Sequence, residues 1–133
     1  MKQKTGFVLF CILALFSLPA LSQGGPAFDR YHSPEELNRI IRQLGQNDNA
    51  TIHELTETAG GYQLLLLEIG PETGKDKKEL PAIFTAANLE GTVPLAGEAA
   101  LYLASQLLEK PEMAGDKTWY ILACGNQIGR AHV

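Results

Sequence analysis

Residues 81–123, PAIFTAANLEGTVPLAGEAALYLASQLLEKPEMAGDKTWYILA, decide the fold. Pro81–Ala87 is a short apolar run without alternation, which is typical of an interior strand of a largely parallel sheet. Ala96–Lys110 carries apolar residues at helical spacing, and Thr118–Ala123 is rich in aromatic and β-branched residues. This stretch therefore predicts a right-handed βαβ unit whose helix packs on the sheet.

The residues before this unit predict a helix followed by a hairpin. Ser33–Glu36 has the composition of a capping box with proline at the first helical position, and Gly45 marks the helix end. Thr51–Thr58 and Tyr62–Ile69 read as two strands joined by a glycine turn. We expect the first strand at or near a sheet edge, and the second, with four consecutive leucines, covered on both faces.

The order helix, strand, strand, strand, helix, strand predicts an α/β fold. We expect part of a three-layer domain, in which a mixed sheet begins with an antiparallel hairpin and continues into parallel strands, with helices packed on it. Parallel strands need cover on both faces and partners at both edges. This chain expressed alone is therefore expected to be marginally stable or to aggregate.

Residues 1–22 have the pattern of a secretory signal peptide. Two lysines precede an apolar run at 7–18 that is too short to span a bilayer, and small residues at 20 and 22 favour cleavage after residue 22. The mature chain is expected to be secreted or periplasmic and not held by a membrane. Cleavage removes Cys11 and leaves Cys124 without an intramolecular disulfide partner.

The charge of the chain disfavours nucleic acid as a partner. Loss of the two signal lysines changes the formal net charge from −4 to −6, since 9 basic residues then face 15 acidic ones. Lysine and arginine are not concentrated in any stretch, so binding to nucleic acid or to an anionic membrane surface is not expected.

Four stretches of the sequence form a pattern: YHSPEELNRIIRQL (31–44), TAGGYQLLLLEIG (58–70), PAIFTAANLEGTVPLAGEAALYLASQLL (81–108) and TWYILACGN (118–126). In order, they give a Tyr-Ser start leading into a Glu-rich helix, a glycine turn with a second strand, a third strand with a loop and helix, and a final strand. Their order and spacing resemble the zinc metallocarboxypeptidase family, in which that loop binds metal and the final strand usually enters an Asn-Pro-Asp-Gly turn. The resemblance implies a carboxypeptidase-like fold, a zinc cofactor and hydrolysis of peptide C-termini by metal-activated water.

The metal loop departs from the family pattern. The family's first metal motif is His, two residues and Glu, just past the third strand. The resemblance through NLEGTVPLAG (88–97) places Glu90 at the His position and Val93 at the Glu position. Valine has no donor atom, so this loop does not support ordinary zinc binding. A slipped alignment with Glu90 as the family's Glu is the alternative, but Ala87, not His, lies three residues earlier, so we favour a degenerate site.

Few residues remain as site candidates. Asn88 and Glu90 are candidates for a ligand loop, and Glu90 is the one candidate metal ligand. Asn88 is also expected to form a turn through side-chain hydrogen bonding. His32 and His53 have no potential metal ligands at suitable spacing, so surface or strand-face roles are expected for them. The resemblance implies that the family's third ligand, its carboxylate-binding Arg and its general base lie beyond residue 133, so no catalytic residue is predicted here.

Two functions of different classes stay open. The first is a truncated, secreted zinc-carboxypeptidase-like protein whose fragment is inactive. The second is a non-catalytic module that binds a peptide or glycan end, and a scaffold domain without a small ligand is a weaker third. The final residues IGRAHV resemble the translation of a sequencing adapter. The expected organisation is thus a signal peptide at 1–22, the N-terminal part of a carboxypeptidase-like domain at 23–127, and an artificial end at 128–133.

Overall fold

The structure, a computed structural model, describes residues 26–71 and 79–126. The predicted signal peptide and residues 128–133 lie outside the described residues. The elements that the structure describes, in chain order, are α1 (Pro34–Leu44), β1 (Ala50–Glu57), β2 (Gln63–Ile69), β3 (Ala82–Ala86), α2 (Pro94–Glu109), a short 3₁₀ turn (Pro111–Met113) and β4 (Thr118–Leu122).

The four strands form one mixed sheet in the order β1-β2-β4-β3. β1 and β2 form the predicted antiparallel hairpin, with Ala50 opposite Ile69 and a register shift between Glu54 and Thr56. β2 and β4 are also antiparallel, whereas β3 and β4 are parallel and are joined by α2. The predicted mixed sheet and α/β fold are confirmed. β1 lies at an edge of the sheet, as expected.

Helix α1 follows from its local sequence. The Ser33 hydroxyl accepts a hydrogen bond from the Glu36 amide, and the Glu36 carboxylate accepts one from the Ser33 amide, so the predicted capping box is present. Gly45 ends the helix with a φ of −68°, a value open to any residue. A Cβ atom at position 45 would meet the Ile52 side chain, so a larger residue there would require that side chain to move.

Both helices pack against the same face of the sheet. The buried side chains of α1 and α2 share one core cluster with alternate residues of β2 and with the end of β4. The described residues therefore supply two of the three expected layers, namely the sheet and one layer of helices. The fully buried large side chains of this core are Leu37, Leu65, Leu67, Ile69, Leu101, Leu107 and Ile121.

Two finer expectations about the strands are not met within the described residues. β2 alternates between buried and half-buried residues instead of being covered on both faces, because both described helices lie on one side. β3 was expected in the sheet interior, but β4 lies between β2 and β3, so β3 is an edge strand of the described sheet. Phe84 of β3 lies on the uncovered face and is 63% exposed.

None of the described helices is long and apolar enough to cross a membrane.

Candidate functional site

The candidate ligand loop, residues 88–93, joins the carboxyl end of β3 to the start of α2. β3 and β4 are parallel, so their carboxyl ends lie at the same edge of the sheet. Ligands of open α/β sheets bind at this edge. The Ala87 amide donates to Leu122 O at 2.8 Å, and the Gly125 amide donates to Ala87 O at 3.0 Å, so the start of the loop is fixed against the end of β4.

Asn88 is the most constrained residue of the loop. It is 5% exposed and has a φ of 51°, a left-handed conformation that asparagine tolerates better than most residues. Its carbonyl accepts hydrogen bonds from the amides of Gly91 and Asn126, which confirms that it forms a turn. The side chain does not close this turn, since its Nδ2 donates to Cys124 Sγ at 3.3 Å.

The amide oxygen of Asn88 is buried and has no hydrogen-bond partner among the described residues. A buried polar atom without a partner costs about 1–3 kcal/mol. Its left-handed backbone adds a second local cost. Such costs are concentrated at functional sites, so Asn88 stays a candidate for the ligand loop.

Glu90 and Val93 lie on the outer part of the same loop. Glu90 is exposed to solvent, and Val93 is 48% exposed at the N-cap position of α2. Val93 cannot accept a hydrogen bond, and α2 has no side-chain cap and no acidic residue in its first turn. The single carboxylate of the loop is therefore that of Glu90.

A shallow depression of about 350 Å³ is formed by the loop and the elements on either side of it. Its walls are mainly apolar, and its two polar side chains are those of Asn88 and Glu90. Its lining residues are Ala86, Ala87, Asn88, Leu89, Glu90, Val93 and Ala96. This depression can hold a small group of a ligand at the carboxyl edge of the sheet.

The donor set of this loop does not fit zinc. Zinc sites in proteins combine three or four nitrogen, sulfur or oxygen donors, whereas Glu90 and Val93 together supply one carboxylate. Within residues 26–71 and 79–126, no group of three His, Cys, Asp or Glu side chains is placed to hold a metal ion. The two histidines in these ranges, His32 and His53, are each paired with a glutamate elsewhere in the fold.

The pair between His32 and Glu98 was missed from the sequence. His32 was expected at the surface or on a strand face, but it is buried, and its Nδ1 lies 2.8 Å from Glu98 Oε2. His53 does lie on a strand face, where its Nε2 is 2.7 Å from Glu68 Oε2 of the neighbouring strand. His32 and Glu98 are 66 residues apart in the sequence, and no local sequence pattern links them.

Comparison with known proteins identifies the family. The zinc carboxypeptidase family model matches residues 37–129, well over half of the chain. No curated protein sequence gives a significant match.

Solved carboxypeptidase structures share the fold. Bovine thrombin-activatable fibrinolysis inhibitor, solved with a tick carboxypeptidase inhibitor, is 15% identical with a TM-score of 0.65, and the match covers 77% of this chain and 33% of that chain. A Burkholderia cenocepacia metallo-carboxypeptidase is 22% identical with a TM-score of 0.64, covering 77% and 29%. Carboxypeptidase A from Helicoverpa armigera is 20% identical with a TM-score of 0.64, covering 96% and 33%.

At these identities the structural likeness shows the fold alone, and the chain spans about a third of the length of these structures. The family is shown by the match over residues 37–129, and the predicted resemblance is confirmed. The chain belongs to the zinc carboxypeptidase family.

Proposed function

We propose that this chain is the N-terminal part of an exported carboxypeptidase-like protein that binds peptide ends without holding zinc through its first metal loop. The proposal rests on the number of side chains in the loop that can coordinate zinc. Glu90 and Val93 stand at the positions that the family resemblance assigns to His and Glu, and the pair offers one carboxylate. The family scaffold then keeps a cleft without the means to activate water there.

The depression supports binding of a chain end. Its apolar walls suit a small side chain, and Glu90 supplies an exposed carboxylate at the carboxyl edge of parallel strands. A polar group beside an apolar depression is the usual composition of a small-ligand site.

Zinc-dependent hydrolysis of peptide C-termini is the second candidate, favoured by family membership. The two functions differ in an outcome that can be measured on the full-length mature protein. A panel of peptides that differ in their C-terminal residue is titrated by calorimetry, and the same mixtures are analysed by mass spectrometry with and without added zinc. Binding without release of a C-terminal residue is expected. Zinc-dependent release would contradict the proposal.

A bulky side chain at position 93 tests the place of binding. Val93→Trp fills the depression, and we expect it to weaken peptide binding by about tenfold or more, since one well-placed aromatic clash removes more than one kcal/mol of contact energy. The matched control is Leu55→Trp on β1, which changes another exposed apolar residue far from the loop in the sheet order. Equal effects of both variants would exclude this depression as the binding site.

Export is part of the same proposal. The lysines, the apolar run and the small residues of positions 1–22 support a cleaved signal, and the acidic composition of the rest gives no reason to expect nucleic acid as a partner. Expression of the full-length protein in a host with a secretory pathway, followed by N-terminal sequencing of the exported product, is expected to show a mature start at Gln23. Retention of residues 1–22 on an intracellular product would contradict export.

A further inference from the structure

A buried hydrogen-bonded pair fastens the segment before α1 to the helix that follows the ligand loop. The Nδ1 atom of His32 lies 2.8 Å from Oε2 of Glu98, and the backbone amide of His32 donates to Oε1 of the same carboxylate at 2.9 Å. The two side chains are 7% and 9% exposed. One residue therefore engages both oxygens of Glu98, which fixes the orientation of the carboxylate.

The pair lies close to the beginning of both helices. His32 directly precedes Ser33, the N-cap of α1. Glu98 is in the second turn of α2, which begins at Pro94 immediately after the ligand loop. One further turn along α2, the ring of Tyr102 meets Phe28 edge to face, with centroids 5.5 Å apart. The segment from Phe28 to His32 is thus attached to α2 at two successive turns.

The two ends of the ligand loop are held in different ways. Its first residues are fixed by backbone hydrogen bonds to the end of β4, including that from the Asn126 amide to Asn88 O at 3.1 Å. At its other end, Val93 provides no side-chain cap for α2. One turn further along α2, Glu98 makes its buried contact with His32. This contact joins the beginning of α2 to a segment 66 residues away in sequence.

We propose that His32 and Glu98 are positioning residues for the ligand loop. Their pair fixes the first two turns of α2 against the start of α1, and so holds Val93 and Ala96 at the depression that Asn88 and Glu90 also line. The inference rests on the proposed function only in treating this depression as a binding site. The effect on the loop itself is independent of any ligand.

The chemistry of the pair indicates which substitution breaks it. A carboxylate accepts both hydrogen bonds. Glu98→Met therefore removes both acceptors with a side chain of similar length and leaves the buried backbone N–H of His32 without its partner. His32→Leu keeps the backbone hydrogen bond to Glu98 and removes the ring contact, so it should have a smaller effect in the same direction.

The test is hydrogen exchange of backbone amides in the full-length protein, measured by mass spectrometry. Glu98→Met is expected to raise exchange in residues 89–96 by about tenfold or more, because loss of buried hydrogen bonds shifts local opening by that order. The matched control is Glu68→Met, which breaks the other His–Glu pair on the β1–β2 hairpin and should leave the loop within about twofold. Exchange within the hairpin should stay unchanged in Glu98→Met.

Two outcomes would overturn the proposal. Unchanged exchange of residues 89–96 in both Glu98→Met and His32→Leu would show that the pair does not hold the loop. A uniform rise over the whole chain would show a general structural role only. Peptide titration of the same variants separates this inference from the proposed function, because a wild-type protein that binds no peptide contradicts the function while the exchange result still decides the positioning role.

Discussion

Helix α1 begins at side chains that satisfy its first amides, whereas helix α2 begins at a valine that cannot. At α1, the Ser33 hydroxyl accepts from the Glu36 amide at 3.3 Å, and the Glu36 carboxylate accepts from the Ser33 amide at 2.9 Å. At α2, Val93 has no side-chain hydrogen bond and the first turn lacks an acidic residue. An uncapped helix start forgoes about 1 kcal/mol.

The two helix starts differ in capping, and only the start of α2 lies at the candidate site. The start of α1 contains none of the candidate ligand residues, and its sequence meets the capping rules. The start of α2 closes the ligand loop, and by the family resemblance position 93 is a metal-ligand position. Val93 serves neither as a cap nor as a ligand. The contact between Glu98 and His32 is the one that we propose to hold the first turns of α2.

The largest expected effect comes from restoring the family motif at α2. The double variant Glu90→His, Val93→Glu returns an imidazole and a carboxylate to the loop. Since loss of even an outer-shell partner weakens metal binding by about 10–100-fold, two restored ligands should raise zinc affinity by about 100-fold or more. Zinc titration of the full-length protein with a competing chelator measures the change.

The control for this variant changes the same two positions without adding zinc donors. Glu90→Ala, Val93→Leu removes the carboxylate and keeps an apolar residue at position 93. Similar zinc affinity in both double variants would mean that positions 90 and 93 do not form a zinc site. The missing cap of α2 would then have no link to a lost metal site.

Removing the cap of α1 should have the next largest effect. Ser33→Ala deletes the acceptor for the Glu36 amide, and it is expected to lower the free energy of unfolding by about 1 kcal/mol, whereas Ser33→Gly should cost only a few tenths. Chemical denaturation of the full-length protein measures both variants. Equal losses for alanine and glycine would indicate that the hydroxyl is not the source of the stability.

Adding a cap to α2 should have a smaller effect of opposite sign. Val93→Ser supplies an acceptor at the N-cap and is expected to raise the free energy of unfolding by about 0.5 kcal/mol. The N-cap backbone has φ −114° and ψ 79°, which limits how well a new hydroxyl can reach the helix amides. No gain in the same denaturation assay would mean that this backbone cannot be capped.

The smallest effect is a pH dependence at the start of α1. Hydrogen bonds from the Arg30 guanidinium and the Ser33 amide lower the pKa of Glu36 from 4.5 to about 2. A carboxyl with a lowered pKa stabilises the fold above its unfolded pKa and loses this contribution as pH falls. Stability should therefore decline between about pH 4.5 and 2, and less steeply in Arg30→Gln. If stability depends on pH in the same way in Arg30→Gln, the Arg30–Glu36 pair is not the cause.

Sequence patterns predicted the parts of the fold that depend on neighbours in the chain. The capping box of α1 and the glycine turn between β1 and β2 lie within a few residues, and each was confirmed. The neighbours of β3 in the described sheet were not predicted, because an apolar run shows that a strand is buried somewhere but not which strand pairs with it. Only the insertion of β4 beside β2 puts β3 at the edge of the described sheet.

The same contrast between local patterns and long-range contacts applies to the candidate site. Asn88 and Glu90 were predicted because one loop contains both, and the structure places them around one depression. The contact of His32 with Glu98 was not predictable, since it depends on how α1 packs beside α2. A buried histidine has no local signature, because the residues that cover it come from other elements.

Zinc content of the purified full-length protein tests most directly whether the ligand loop has given up its metal. The protein is expressed in medium with ample zinc, dialysed against a weak chelator and analysed by inductively coupled plasma mass spectrometry, with the Glu90→His, Val93→Glu variant treated in parallel. We expect far less than one zinc per wild-type chain and a clear gain in the variant. One tightly held zinc per wild-type chain, lost on substitution of Glu90 by alanine, would contradict the account.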